Sequence, residues 1–132
     1  MLLLSIAVAN LALASPYLGA KQCLTCHPVQ YAQWARTPHA RTHERLTLAQ
    51  RRDPRCGSCH NTSTADGILG VQCESCHGPG RDYWPADIMK SRKRARTAGL
   101  WDAAQSKVCE NCHTNDSTRI HPFNFEHALI KV

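Results

Sequence analysis

The sequence has no cysteine outside four short motifs, and this distribution excludes most of the roles that cysteine plays in proteins. All eight cysteines lie in Cys-x-x-Cys-His pentapeptides, which begin at Cys23, Cys56, Cys73 and Cys109. Four disulfides or two four-cysteine zinc sites would also use eight cysteines, but neither requires a histidine after every second cysteine. A thioredoxin-like dithiol fails for the same reason. The distribution therefore indicates covalent attachment of c-type haem.

Each pentapeptide has the spacing that haem attachment needs. The two thiols add across the vinyl groups of one porphyrin, and the adjacent imidazole binds the iron. The sequence thus predicts four c-type haems and no other metal. The haem-attaching cysteines are Cys23, Cys26, Cys56, Cys59, Cys73, Cys76, Cys109 and Cys112, and the proximal histidines are His27, His60, His77 and His113.

The chain also lacks the length for a conventional apolar core around each of four haems. Residues 15–132 allow about 30 residues per haem, so the porphyrins themselves must form the core. We expect a single tetrahaem cytochrome c domain over 15–132, mainly α-helical with extensive loops, little or no sheet and stacked haems inside. No linker long enough to divide the chain is present. The second and third motifs begin only 17 residues apart, which predicts that they lie close in space.

Residues 1–14 lack any charge and have the character of a signal peptide. The apolar stretch ends in Ala12-Leu13-Ala14, a small-residue cleavage pattern, although the usual basic start is missing. An uncleaved membrane anchor is the alternative, because the first charge is at Lys21. Both interpretations place the domain outside the cytoplasmic membrane, in the periplasm or the cell exterior, where c-type haem is attached in bacteria and archaea.

The net charge of +6 does not predict binding to nucleic acid. Haem propionates would offset most of it, since every haem carries two carboxylates. The basic run over 90–96 is interpreted as a solvated helix face that also neutralises propionates. A docking patch for an acidic redox protein is the alternative. We expect redox proteins as partners, and no nucleic acid.

Five helices are expected around the motifs. The predicted spans are 28–37, a polar helix ending at Arg52, a helix opened by Pro85 and stopped by Gly99, and 101–109. Asn124 is expected to cap a last helix that contains Phe125 and Leu129.

The residues around two motifs resemble the tetrahaem cytochrome c-554 family. They are Gly-Val-Gln-Cys-Glu-Ser-Cys-His-Gly-Pro-Gly-Arg at 70–81 and Lys-Gln-Cys-Leu-Thr-Cys-His at 21–27, the latter followed by Trp34 and Thr-Pro-His-Ala at 37–40. The resemblance extends over roughly 20–132. The founding members carry electrons away from hydroxylamine oxidoreductase, so the resemblance implies a protein that relays single electrons between redox partners rather than an enzyme.

Two alternative functions remain open at this point. In the founding members the second haem is five-coordinate, so His60 would hold an iron with one open face. Such a site would suit a reductase of small nitrogen or oxygen species, although no catalytic side chain is predicted beside it. The other alternative is a fixed haem subunit of a filament or of a membrane electron-transfer complex.

Four histidines remain for the distal side of the irons: His39, His43, His121 and His127. The resemblance implies that His39 is a distal ligand, serving the third haem. His43 lies one helical turn further on and is a further candidate, with a solvent-exposed or propionate-bonded role as its alternative. The family takes the distal ligand of the fourth haem from a C-terminal region. Here His121, His127 or a neighbouring subunit would supply it.

No histidine lies between His77 and His113, where the family carries another distal ligand. Met89 is the only methionine after Met1, and it lies in this interval. A thioether ligand to the first haem would raise its potential relative to haems with two histidine ligands. An ordinary apolar packing residue is the alternative.

Overall fold

The computed structural model describes residues 14–103, 106–114 and 123–129. The predicted signal peptide up to residue 13 and the candidate ligand His121 lie outside the described residues. The helices are α1 Ala20–Leu24, α2 Pro28–Ala35, α3 Leu48–Arg51, α4 Pro54–His60, α5 Cys73–His77, α6 Ala86–Met89, α7 Arg92–Thr97, α8 Ser106–Glu110 and α9 Phe125–Leu129. Two 3-10 turns, Pro38–Arg41 and His43–Arg45, follow α2.

The predicted class, mainly α with extensive loops and little sheet, is confirmed. Among the described elements the longest helix is α2, with eight residues. The strands β1 Asn61–Ser63 and β2 Ile68–Leu69 form a two-stranded antiparallel sheet directly after the second motif. Asn61 pairs with Leu69 and Ser63 pairs with Ile68, with an irregularity between the two pairs. The sheet places the third motif beside the second.

Side-chain caps mark where several helices begin. Thr47 has extended backbone and starts α3 with a capping box, in which its hydroxyl accepts from Gln50 N at 3.3 Å and the Gln50 side chain accepts from Thr47 N at 2.9 Å. The polar helix predicted to follow His43 and end at Arg52 is therefore one 3-10 turn, His43–Arg45, and then α3. Asn124 Oδ1 accepts from His127 N at 2.9 Å, which confirms the predicted cap of the last helix.

The prediction of one helix between Pro85 and Gly99 was wrong, because this segment forms two helices, α6 and α7. Ser91 has extended backbone (φ −117°, ψ 108°) and its hydroxyl accepts from Arg94 N, so it ends α6 and caps α7. Gly99, with φ 108°, lies just beyond α7 as expected.

The polypeptide supplies very little apolar core. Of the described hydrophobic residues, only Ala20, Leu46, Tyr83 and Ala95 are buried. Large apolar side chains are instead exposed: Leu24, Val29, Leu48, Leu69, Trp84 and Trp101. A chain of this length normally buries most of its apolar surface. In the part of the chain that the structure describes, no helix is long and apolar enough to cross a membrane.

Candidate haem-binding site

The first and third motifs pack directly against each other. Cys23 lies in α1, and the turn after α1 brings His27 N to within 2.9 Å of Cys23 O, so the whole motif is one helical turn. The third motif forms α5. A hydrogen bond between the Cys23 and Cys73 thiols lowers the pKa of Cys73 to about 7, and the same bond, with burial, raises the pKa of Cys23. These two motifs therefore meet sulfur to sulfur.

A buried carboxylate fixes this contact. Glu74, inside the third motif, is 2% exposed. Its carboxylate accepts from Leu18 N at 2.9 Å, Gly19 N at 2.7 Å and Gly80 N at 2.7 Å. Three backbone donors from two loops thus converge on one charged acceptor, and such charge-assisted bonds are among the stronger ones in proteins. The segment leading into the first motif is held on the third motif by this side chain.

The second motif lies entirely within α4, and its histidine is oriented by the backbone. His60 Nδ1 donates to Thr42 O at 2.8 Å, and the Thr42 hydroxyl donates back to His60 O at 2.9 Å. Histidines that bind metals commonly donate their other ring N–H to a carbonyl in this way. His60 is thereby left with Nε2 as its metal-binding nitrogen.

The second and third motifs are also neighbours, as their short spacing predicted. Thr62, two residues after the second motif, has its hydroxyl 2.8 Å from the Ser75 hydroxyl of the third motif. The same Thr62 oxygen accepts from Gln72 N at 2.8 Å. The small sheet is what brings these residues together.

The fourth motif meets the second. Cys109 is the penultimate residue of α8, and His113 N donates to Cys109 O at 2.9 Å. Cys59 and Cys112 form a disulfide, with their Cα atoms 5.4 Å apart. A sulfur in a disulfide cannot also be a thioether, so this bond and haem attachment at the same two cysteines are alternative states of the chain.

The imidazoles of His39 and His113 face each other across a short gap. Their ring centres are 6.0 Å apart and the ring planes are inclined by 82°. Burial, and then the neighbouring charge of His113, lowers the pKa of His39. Phe123 stacks on His113, with the two ring centres 4.4 Å apart. The structure therefore brings the His39 ring beside the fourth motif, and its backbone lies at the entry to the third, where Val71 N donates to His39 O at 3.0 Å.

The remaining distal candidates have different surroundings. His43 Nδ1 donates to Asn61 Oδ1 at 2.8 Å, and Asn61 is 5% exposed. This fixed orientation differs from the freely solvated alternative considered for His43. His127 is an exposed residue of α9.

Met89 lies beside the first motif. A cavity of about 310 Å³ is lined by Cys23, Cys26, His27 and Met89, together with the apolar side chains of Leu18 and Trp84. This volume is at the lower end of the range for cofactor and ligand pockets. All the haem-binding residues of the first motif line this cavity, and so does Met89, the candidate thioether ligand.

These residues fit haem. The first motif opens onto an apolar cavity, the second has a histidine in a metal-binding orientation, and the fourth has a second imidazole beside it. The small apolar core and the exposed tryptophans also fit a fold whose interior is completed by a large flat apolar group.

Two comparisons show that the chain is similar to known c-type cytochromes. Residues 22–78, which contain the first three motifs, match the family described as cytochrome c554 and c-prime. Cytochrome c-554 of Nitrosomonas europaea is 30% identical over an alignment of 144 positions, gaps included, that covers 80% of this chain. The chain belongs to the cytochrome c-554 family. It spans about 61% of the length of that relative. No solved structure gives a significant match to it.

Membership of the cytochrome c-554 family implies covalently bound c-type haem, the cofactor that the motifs predicted. Sequence reasoning missed three residues that shape the site, namely Thr42, Asn61 and Glu74. Each acts through a contact with a residue at least nine positions away, so a single sequence carries no signal for it.

The basic run has the solvated face that was expected. Arg94 pairs with Asp87 at 2.7 Å and Arg96 with Asp102 at 2.6 Å, and all four side chains are at least 40% exposed. Such surface pairs contribute little to stability, about 0–1 kcal/mol each. The basic run is therefore part of the solvated surface of the domain.

Proposed function

We propose that this chain is an exported tetrahaem c-type cytochrome that carries single electrons between redox proteins. The observation that supports this most strongly is the continuity of the four motifs. The segment leading into the first motif is bound to the third, because Gly19 N donates to Glu74 Oε2 at 2.7 Å, and the third touches the second through Ser75 and Thr62. The second lies beside the fourth, with the Cα atoms of Cys59 and Cys112 5.4 Å apart. A relay needs its redox centres close together, and this chain leaves none of the four motifs isolated.

Bound haem supplies one-electron chemistry at iron, with a potential set by its ligands, charge and exposure. The chain's part is to fix those three properties. His60 is oriented by Thr42 O, and Glu74 locks the first motif onto the third. Rigid positioning of this kind keeps the iron ligands in place when a haem gains or loses an electron.

The fourth motif has the best candidate for a distal ligand. If haem were attached at the fourth motif, its iron would be held by His113, and His39, whose ring centre lies 6.0 Å from that of His113, would be the neighbouring imidazole able to bind it. We therefore assign His39 to the iron of the fourth motif rather than the third. Six-coordinate irons suit electron transfer, because ligation does not change with oxidation state.

The partners and location are part of the proposal. We expect a donor and an acceptor that are redox proteins, with the positive surface of α7 meeting an acidic one, and we expect the domain to work in the periplasm or outside the cell. Steering of this kind raises association rates and weakens as ionic strength rises.

Three measurements on purified, haem-loaded protein test this function. Intact-mass spectrometry after denaturation should show four covalent haems. Low-temperature EPR of the oxidised protein should show low-spin signals only, and a potentiometric titration should be reversible in one-electron steps. A high-spin iron that reacts with nitric oxide or turns over nitrite would instead support the reductase. Fewer than four covalent haems would contradict the tetrahaem proposal.

A further inference from the structure

The cavity beside the first motif limits which side chain can occupy the distal side of its iron. His27 is the proximal residue of that motif. Among the described residues lining the cavity, the other side chains with a potential donor atom are Glu74, Tyr83, Met89 and Lys90. His27 is the one histidine among these lining residues, so they offer the iron of this motif no second imidazole ligand.

Two of these four donors are already committed to the protein. The Tyr83 hydroxyl is buried and donates to Gly78 O at 2.7 Å. Both oxygens of Glu74 are held by backbone N–H groups, including that of Gly19 at 2.7 Å. Releasing either group would leave buried polar atoms without partners, which costs about 1–3 kcal/mol for each.

Lys90 and Met89 differ in exposure and in chemistry. Lys90 follows the last residue of α6 and its side chain is exposed, whereas Met89 is half-buried against the cavity. A protonated ammonium has three donor hydrogens and no lone pair. A thioether has a lone pair at every pH and little attachment to water, and methionine is an established axial ligand of haem iron.

We propose that Met89 Sδ is the distal ligand of the haem attached to Cys23, Cys26 and His27. This inference rests on the proposed function, because it requires haem at the first motif. It gives the chain one haem with mixed histidine and methionine ligation. That haem should have a higher reduction potential than haems of this chain with two histidine ligands. It would therefore be the last of the chain to lose its electron on oxidation.

The backbone around Met89 suits a fixed ligand. Met89 N donates to Pro85 O at 2.9 Å, and the next residue, Lys90, donates through N to Ala86 O at 3.1 Å. The helix α6 is thus hydrogen-bonded through its last residue. Pro85 restrains the entry to the helix. Because Met89 lies on a hydrogen-bonded helix, its side chain can be held toward the cavity without a loop having to become ordered.

The test uses haem-loaded protein carrying Met89→Leu, Met89→His or, as the matched control, Lys90→Ala. Oxidised wild-type protein should show the weak near-infrared band of a sulfur–iron bond. Met89→Leu should lose that band and gain a high-spin EPR signal from one of four haems. Met89→His should lack the band, remain low-spin and lower one of the four potentials. Lys90→Ala should keep both the sulfur–iron band and the low-spin signals of the wild type.

The proposal is overturned if the wild type lacks the band, or if Met89→Leu keeps every iron low-spin. A change in Lys90→Ala alone would assign the ligand to Lys90 and overturn it equally. Haem attachment is read separately, from the mass of the tryptic peptide over 22–36, which contains the first motif. A peptide without haem would contradict the proposed function, whereas a haem-bearing peptide with no sulfur–iron band would contradict Met89 ligation alone.

Discussion

Glu74 Oε2 accepts a hydrogen bond from Gly19 N at 2.7 Å, and this contact joins the third haem motif to the segment that leads into the first. The two residues are 55 positions apart. The described part of the chain buries only four apolar residues. Hydrogen bonds to a buried carboxylate are therefore important to its folding stability, which is a small difference between large terms.

Glu74→Gln should destabilise the haem-loaded protein. The amide keeps one acceptor oxygen, but its NH₂ group would face a backbone N–H donor that no longer has an acceptor. Loss of charge-assisted bonds of this type costs about 1.5–3 kcal/mol each. We expect the guanidinium midpoint to fall clearly. Glu44→Gln, at an exposed position, is the control and should change stability by less than about 0.5 kcal/mol. Equal midpoints for the two variants would show that Glu74 does not tie the motifs together.

His39→Ala should leave one iron of the haem-loaded protein without its sixth ligand. We expect high-spin EPR intensity equivalent to one haem, while the number of covalent haems stays unchanged. His127→Ala is the control, because His127 is an exposed residue of α9. If His39→Ala retained only low-spin signals, the facing imidazoles of His39 and His113 would not share an iron.

The His39 pairing also marks the limit of what the sequence could predict. The four motifs were predictable because haem attachment depends on five consecutive residues. The cap at Asn124 was predictable because its partner, His127 N, is only three positions further along the chain. His39 meets His113 only after folding, so its assignment to the third haem came from resemblance and not from its own residues. The break at Ser91 was missed because serine is compatible with both helix interiors and caps.

The Cys59–Cys112 disulfide predicts how the haem-free chain behaves under oxidising conditions. The two cysteines belong to different motifs, and their Cα atoms are 5.4 Å apart, within the usual range for disulfides. Haem-free protein, made without the attachment machinery and then oxidised, should yield a cross-linked peptide pair containing these residues. In vitro haem attachment to the second and fourth motifs should then require a thiol reductant.

Cys59→Ser provides the control for this experiment. The variant should lose the cross-link to Cys112, and attachment at the fourth motif should no longer depend on reductant. Peptide mapping under non-reducing conditions distinguishes the outcomes. Cross-links confined to pairs within single motifs would mean that the second and fourth motifs do not meet in the haem-free chain.

Two glycines of the sheet region give a matched test of how closely the His39 turn must approach. Gly67 and Gly70 both have positive φ, 69° and 80°. A Cβ on Gly67 would meet nothing within 4 Å, whereas one on Gly70 would lie 2.7 Å from Ala40 O, a backbone atom next to His39. Both alanine variants bear the strain of left-handed backbone, about 1–2 kcal/mol.

Gly70→Ala must therefore lose more stability than Gly67→Ala, and only Gly70→Ala must displace the turn that carries His39. Val71 N also donates to His39 O at 3.0 Å, so the displaced strand end would pull on the same turn. We expect Gly70→Ala to change the EPR g-values of one low-spin haem and Gly67→Ala to leave all of them unchanged. Equal stability losses with unaltered spectra in both variants would mean that left-handed backbone alone, and not the approach to Ala40, requires glycine at position 70.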